Sequence, residues 1–137
     1  MTPQLTDAPD PADLAAIGAG LAAFNDADVG PADRRALVVL LRDDAGRVAG
    51  GLSGYTAWGW LYVQWLWLDA PARGQGWAGR FLALAEAEAQ ARGCHGAWID
   101  TFNPVALQAY QKAGYSVFGA LPDFPHGRTR SFLQKRL

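Results

Sequence analysis

The sequence is poor in the residues that build disulfides and metal sites. Of its 137 residues one is cysteine, Cys94, so no internal disulfide can form. His95 and His126 are the only histidines, which leaves no convincing structural zinc site and an expectation of no metal. Charge of one sign is missing too: 12 Lys and Arg stand against 13 Asp and Glu, for a formal net charge of -1 and a pI of about 6.0. Without a basic field, neither nucleic acid nor an anionic membrane surface is an expected partner. No apolar run reaches the length of a membrane span, and Met1 to Pro11 lacks a positive cluster followed by an apolar stretch. A soluble, unprocessed, cytoplasmic chain is expected.

What is present is apolar. Half of the residues are hydrophobic, enough for one sizeable core and a single domain over residues 1–137. Leu14, Ile17, Leu21 and Phe24 recur at helical spacing, predicting an amphipathic helix over Pro11–Ala27 with Pro11 in its first turn. Ala36–Leu41 and Arg47–Thr56, separated by Asp43-Asp44-Ala45-Gly46, read as a hairpin. Trp60–Leu68 reads as a central strand covered on both faces. The spacing turns helical over Gly76–Arg92, with Gly93 as its cap. Then come a strand over Gly96–Phe102, a short helix over Pro104–Ala113, a strand over Tyr115–Phe118, a loop over Leu121–Gly127 and a strand over Arg130–Lys135. The order predicts an α/β (α+β) domain with a mixed central sheet flanked by helices.

Four of the six tryptophans, Trp58, Trp60, Trp65 and Trp67, fall within ten positions. Aromatic side chains at strand spacing mostly pack against a neighbouring layer. Lining of a substrate pocket is the alternative, and Trp58 with Trp60 is the pair to test for it.

Gly74-Gln75-Gly76-Trp77-Ala78-Gly79 satisfies the dinucleotide fingerprint G-x-G-x-x-G, and Asp100 follows near the place of a ribose-binding acid. Yet Asp69 to Arg73 intervene between the strand and the first glycine, and a hairpin feeds that strand where a doubly wound sheet needs parallel units. A P-loop fails because no Lys-Ser or Lys-Thr follows. What remains is a set of unencumbered amides at a helix N-terminus, flanked by Arg73 and Arg80, suited to a pyrophosphate. A plain glycine-rich turn is the competing reading.

The segment Leu68-Asp69-Ala70-Pro71-Ala72-Arg73-Gly74-Gln75-Gly76-Trp77-Ala78 resembles the acyl-CoA signature of the GNAT family of N-acetyltransferases, R/Q-x-x-G-x-G/A after a strand with an aliphatic end. Arg73, Gly76 and Ala78 fill its three places. Asn103 to Tyr115 matches the family's second pattern, N-x-x-A-x-x-x-Y-x-x-x-G-[FY]. The resemblance covers about Ala36 to the C-terminus, and Ala70 departs from it where a proline is frequent.

The resemblance implies transfer of an acetyl group from acetyl-CoA to a primary amine of a small molecule, peptide or protein. It implies that the sheet splays beside Trp60–Leu68, where the backbone of Leu66, Trp67 and Leu68 binds the pantetheine arm. The amides of Gly74, Gln75, Gly76, Trp77, Ala78 and Gly79, with Arg73 and Arg80, take the pyrophosphate. Asn103 binds the pantetheine arm or its bridging water, and Tyr110 protonates the leaving thiolate, as a hydroxyl with an ordinary pKa of about 10 can. No general base stands out: Asp100, Tyr62, Asp123, His126 and a water remain open. The acceptor pocket is expected across the sheet from the cofactor, bordered by Val29 to Arg35, Tyr55 to Trp60 and Pro122 to Arg128. A non-catalytic acyl-CoA sensor and a nicotinamide-binding fragment are the rival readings, and exposed aromatics or the terminal strands are compatible with a homodimer.

Overall fold

The computed structural model describes every residue, Met1–Leu137. Its contacts divide the chain into two compact units, Met1–Ala32 and Asp33–Leu137. The first unit is built on helix α1, Pro11–Val29. The Asp10 carboxylate accepts from the Ala12 amide at 2.8 Å, supplying the N-terminal cap, and Pro11 follows it at a position that needs no amide proton. The expected stripe of Leu14, Ile17, Leu21 and Phe24 is there, but most of the other positions are Ala or Gly. The helix is therefore apolar nearly all round rather than amphipathic, and it buries no residue.

The second unit holds strands β1 (Arg35–Arg42), β2 (Val48–Ala57) and β3 (Trp60–Leu68), helix α2 (Trp77–Ala91), strand β4 (Gly96–Thr101), helix α3 (Pro104–Lys112) and strands β5 (Ser116–Pro122) and β6 (Thr129–Arg136). They form one six-stranded sheet in the order β1-β2-β3-β4-β6-β5. Only β3 and β4 run parallel; every other neighbouring pair is antiparallel. The sheet is mixed because a helix must return the chain from the end of β3 to the start of β4. The last loop is shorter than the sequence suggests: β5 continues through Leu121 and Pro122, paired to Arg130 and Thr129. An edge strand can hold a proline, since one side of its backbone has no neighbour to serve.

The core lies on one face of the sheet. Leu37, Leu52, Leu61, Val63, Ala97, Ile99 and Leu133 pack there with Phe81, Leu82, Ala85 and Ala89 of α2 and Tyr110 of α3. Leu52, Leu61, Leu82, Ile99 and Leu133 are almost wholly buried, and truncating one such leucine to alanine costs about 2–5 kcal/mol. Polar ties fasten the layers. Buried Glu86 of α2 accepts from the Tyr115 hydroxyl at 3.1 Å and pairs with Lys135 of β6, while Arg92 at the end of α2 donates to the carbonyls of Arg35 and Ala36 and to Thr56 Oγ1. Cys94 is buried, and burial pushes its thiol pKa up, so it packs as a small apolar residue.

One strand changes phase midway. Along β3 the core-facing residues are Leu61 and Val63, then Leu66 and Leu68, three positions apart across the middle instead of two. The ladder to β2 slips at the same place: Gly54 pairs with Val63 and Ser53 with Trp65, leaving Gln64 as the extra residue of a bulge. Gly54 is what permits it, because a Cβ there would lie 1.9 Å from the Tyr62 carbonyl oxygen. The bulge turns Trp65 and Trp67 to the other face, where they are 68% and 52% exposed. The strand is central in the sheet, as expected, but its second half is not covered on both faces.

Candidate active site

The parallel pairing of β3 with β4 covers Trp60 with Gly96 through Val63 with Ile99 and stops there. Beyond it β3 stays with β2 as far as Leu68, and β4 stays with β6 through Asp100 and Thr101. The two strands therefore part at the bulge, and the β3 edge from Gln64 to Leu68 turns no ladder toward β4. That is the expected splay. The Asp69 amide donates to the Ala49 carbonyl of β2 at 2.8 Å, so by the alternation of the antiparallel ladder Trp67 turns its backbone groups toward β2, while Leu66 and Leu68 turn theirs toward the gap.

The glycine loop follows at the end of this open edge. A short 3-10 turn, Ala70–Ala72, capped by the Asp69 carboxylate, separates the strand from it. Arg73 Nε donates back to the Leu68 carbonyl at 3.0 Å, and Gln75 Nε2 to the Pro71 carbonyl at 2.7 Å, so two side chains of the loop hold its shape. Gly74 and Gly76 have φ of 76° and 80°, a left-handed conformation that costs any other residue strain. Gly76 is the N-terminal residue of α2 and has no side-chain cap. The amides of Gly74, Gln75, Gly76, Trp77, Ala78 and Gly79 donate to no other group of the chain. Nothing lies within 4 Å of a Cβ built at Gly74, Gly76 or Gly79. A phosphate-bearing molecule can thus reach the amides of a helix N-terminus, whose dipole favours the charge. Trp77 packs into the core beside Phe81, and the Arg80 guanidinium rests 4.8 Å from its ring centre. Its amide, and not its indole, is the part available to a ligand.

Asn103 starts α3. Its side-chain oxygen accepts from the amides of Val105 and Ala106 at 2.8 and 3.2 Å, so that atom is committed to the helix cap and only the amide nitrogen remains for a ligand. Tyr110, on the same helix, is 5% exposed. Its hydroxyl makes no hydrogen bond within the chain, and burial, with the charge of Asp100 second, pushes its pKa up to about 12. It stays protonated at any physiological pH.

The open candidates for a base separate cleanly. Asp123 and His126 lie in the β5–β6 turn, 3.9 Å apart, with His126 fully exposed. Tyr62 and Asp100 are partners: the Tyr62 hydroxyl donates to Asp100 Oδ1 at 3.3 Å. Arg130 Nη1 lies 3.4 Å from Asp100 Oδ2. Burial, then the Asp100 charge, raises the Tyr62 pKa. Asp100 directly follows Ile99, the last β4 residue paired to β3, so this cluster stands where the strands part. The Tyr62 ring stacks on Trp98 at 3.9 Å and meets Tyr55 edge-on at 5.6 Å. Phe124 lies under the Arg130 guanidinium at 4.0 Å.

Of the expected pocket borders, the Pro122 to Arg128 loop reaches this cluster through Phe124, and the hairpin end of β2 through Tyr55. Trp60, at the start of β3, packs edge-on against His95. Arg130 escaped the sequence reading because nothing local announces that β6 lies beside β4. Asp100 carried a readable signal, as the one charged position on an alternating aromatic face.

The GNAT acetyltransferase family model matches residues 8–115. An acetyltransferase of Agrobacterium fabrum is 46% identical over 132 residues, 96% of each chain. A blasticidin-S acetyltransferase of Streptomyces morookaense is 43% identical over 95 residues, 69% of this chain and 70% of its own. A crystal structure from Agrobacterium tumefaciens, described as an acetyltransferase, superposes with a TM-score of 0.95 at 44% identity over the whole of both chains. One from Bacillus cereus at 23% identity shares the fold, with a TM-score of 0.86 over 98% of each chain. No helix is long and apolar enough to cross a membrane. The parted strands, the glycine loop and these relatives agree, and the chain belongs to the GNAT family as an acetyl-CoA-dependent N-acetyltransferase.

Proposed function

We propose that this chain, as one cytoplasmic N-acetyltransferase domain, moves an acetyl group directly from acetyl-CoA to the primary amine of a small molecule. The amides of Gly74 to Gly79, with Arg73 and Arg80, hold the pyrophosphate. The open edge of β3 at Leu66 to Leu68 takes the pantetheine arm, with the Asn103 amide nitrogen beside it. The thioester then lies where the strands part. The neutral amine nitrogen attacks the carbonyl carbon and gives up a proton to water, the carbon–sulfur bond breaks with its electron pair on sulfur, and the Tyr110 hydroxyl donates a proton to the thiolate and regains one from solvent.

The observation that carries this reading is the pair of features at the two ends of the open β3 edge. Free amides stand at one end, and at the other a protonated tyrosine lies within electrostatic reach of Asp100. The Streptomyces relative acts, by its name, on blasticidin S, which makes that compound the first acceptor to try. The test is calorimetric titration with acetyl-CoA, coenzyme A and NAD, followed by thiol release with blasticidin S and a panel of amines. Binding of acetyl-CoA and amine-dependent release of thiol are expected; binding of NAD alone would sink the reading.

A further inference from the structure

Two polar groups stand under-used where the strands part. The Tyr110 hydroxyl on the core side has no partner in the chain. On the other face the Asp100 side chain is 16% exposed, yet its contacts, 3.3 Å from Tyr62 and 3.4 Å from Arg130, are both long. Charge-assisted hydrogen bonds close to roughly 2.5–2.9 Å. A carboxylate so withdrawn from water is costly unless it is well paired, and its two oxygens can accept about four hydrogen bonds between them. Arg130 does not close the account of this pair either: its Nε is buried and makes no hydrogen bond. A salt bridge whose task was to hold β4 to β6 would use both nitrogens of the fork.

The surroundings name the kind of group that fits. Tyr62 and Trp98 are stacked beside Asp100, Phe124 flanks Arg130, and exposed Trp65 follows on the same face past the bulge. Ring faces and one carboxylate attract a cation and an apolar or flat body together. An anionic acceptor would meet Asp100 as a like charge.

We propose that Asp100 is the acceptor-binding residue: its carboxylate receives the acceptor as a cationic ammonium, which releases a proton to water before its nitrogen attacks, on the face of the sheet opposite Tyr110, and it selects primary amines carried on aromatic or apolar groups. Tyr62 is the positioning residue that aims the carboxylate, and Arg130 is the resident cation with which the amine competes for it. This assignment rests on the reading above, in which the thioester occupies the same gap, and it names the substrate class that reading leaves open.

The full chain is titrated with phenethylamine and with phenethyl alcohol, its uncharged counterpart, and tryptophan fluorescence and calorimetry follow the binding. The wild type is expected to prefer the amine by about tenfold, some 1.4 kcal/mol. Asp100→Asn removes the preference while acetyl-CoA binds as before. Arg130→Gln, by withdrawing the competing cation, strengthens it. No preference in the wild type, absence of binding by both probes included, or a preference that survives Asp100→Asn overturns the assignment. Should Asp100→Asn not fold, Arg130→Gln decides alone, and an unchanged or weaker preference there overturns it. Acetyl-CoA titrated into the same proteins keeps the two failures apart. A wild type that does not bind it refutes the donor reading, whereas one that binds it without preferring the amine refutes only the role of Asp100.

Discussion

The two halves of β3 have nearly the same composition and opposite duties. From Trp60 to Val63 the strand is laddered on both edges, to β2 and to β4, and it serves the core. From Gln64 to Leu68 it keeps only β2, and its other edge is open. One inserted residue makes the difference. It shifts the phase, turns two tryptophans outward and ends the parallel ladder at the same point, so the chain gains a polar backbone edge inside a sheet without losing the strand. The lesson is that a binding edge in the middle of a sheet is made by interrupting pairing and needs no special side chains.

The largest expected effect tests the end of the paired half, where Tyr110 is proposed to protonate the leaving thiolate. Tyr110→Phe keeps the ring and removes the proton, so turnover should fall by about 10²–10⁴-fold, the range of a general acid, with acetyl-CoA affinity nearly unchanged. Steady-state rates with a working acceptor measure it, and an unchanged rate removes the acid role. The pH profile adds a sign. With the Tyr110 pKa raised to about 12, its protonated form persists as pH climbs through 10, and activity that depends on it is lost only as pH passes through about 12. The alkaline limb that Tyr110 contributes is therefore expected above the range of a free tyrosine.

Next in size is the bulge itself. Gly54→Ala places a Cβ 1.9 Å from the Tyr62 carbonyl oxygen, which is backbone and cannot swing aside. Overpacking of this kind costs about 1–3 kcal/mol or more. Urea unfolding should show that loss, and acetyl-CoA should bind more weakly to whatever folds, because the strands can no longer part in the same way. Full stability and full affinity would mean that the bulge is incidental.

Much of this architecture is legible in the residues, and the illegible part has a physical cause. The hairpin, the two helices of the second unit and the glycine loop follow from turn chemistry, helical spacing and positive-φ glycines, all of them local. Gly76 and Gly93 could be placed for that reason. The bulge at Gln64 could not, since Trp60 to Leu68 is unbroken aromatic and aliphatic sequence and the slip depends on Gly54 in another strand. Asp100 was visible as an odd charge on its strand, but its partner Arg130 comes from β6, and only the order β4-β6-β5 brings them together.

Smaller effects are expected at the donor loop. Gly76→Val forces a branched side chain into φ near 80° with nothing to clash against, so the penalty is conformational and local, about 1–2 kcal/mol for leaving the left-handed region to glycine. Any relaxation of the loop turns its amides away from a common target. Acetyl-CoA affinity should drop by about tenfold or more, a shift of roughly 1.4 kcal/mol or larger, measured by titration on a chain whose core is intact.

The smallest effect separates the two faces of the open half. Trp65 is the larger residue and Leu66 the smaller, yet Leu66 packs against the core while Trp65 is 68% exposed. Stability follows area removed from water and not size, so Trp65→Ala should cost under about 1 kcal/mol and Leu66→Ala more, on the order of 2 kcal/mol. Chemical unfolding of the two variants compares them directly. A Trp65→Ala loss that exceeds the Leu66→Ala loss means that something covers the outer face of β3 in solution. If the order holds, the outward tryptophan is free to serve a ligand, and the phase shift at Gln64 has divided one strand between support and recognition.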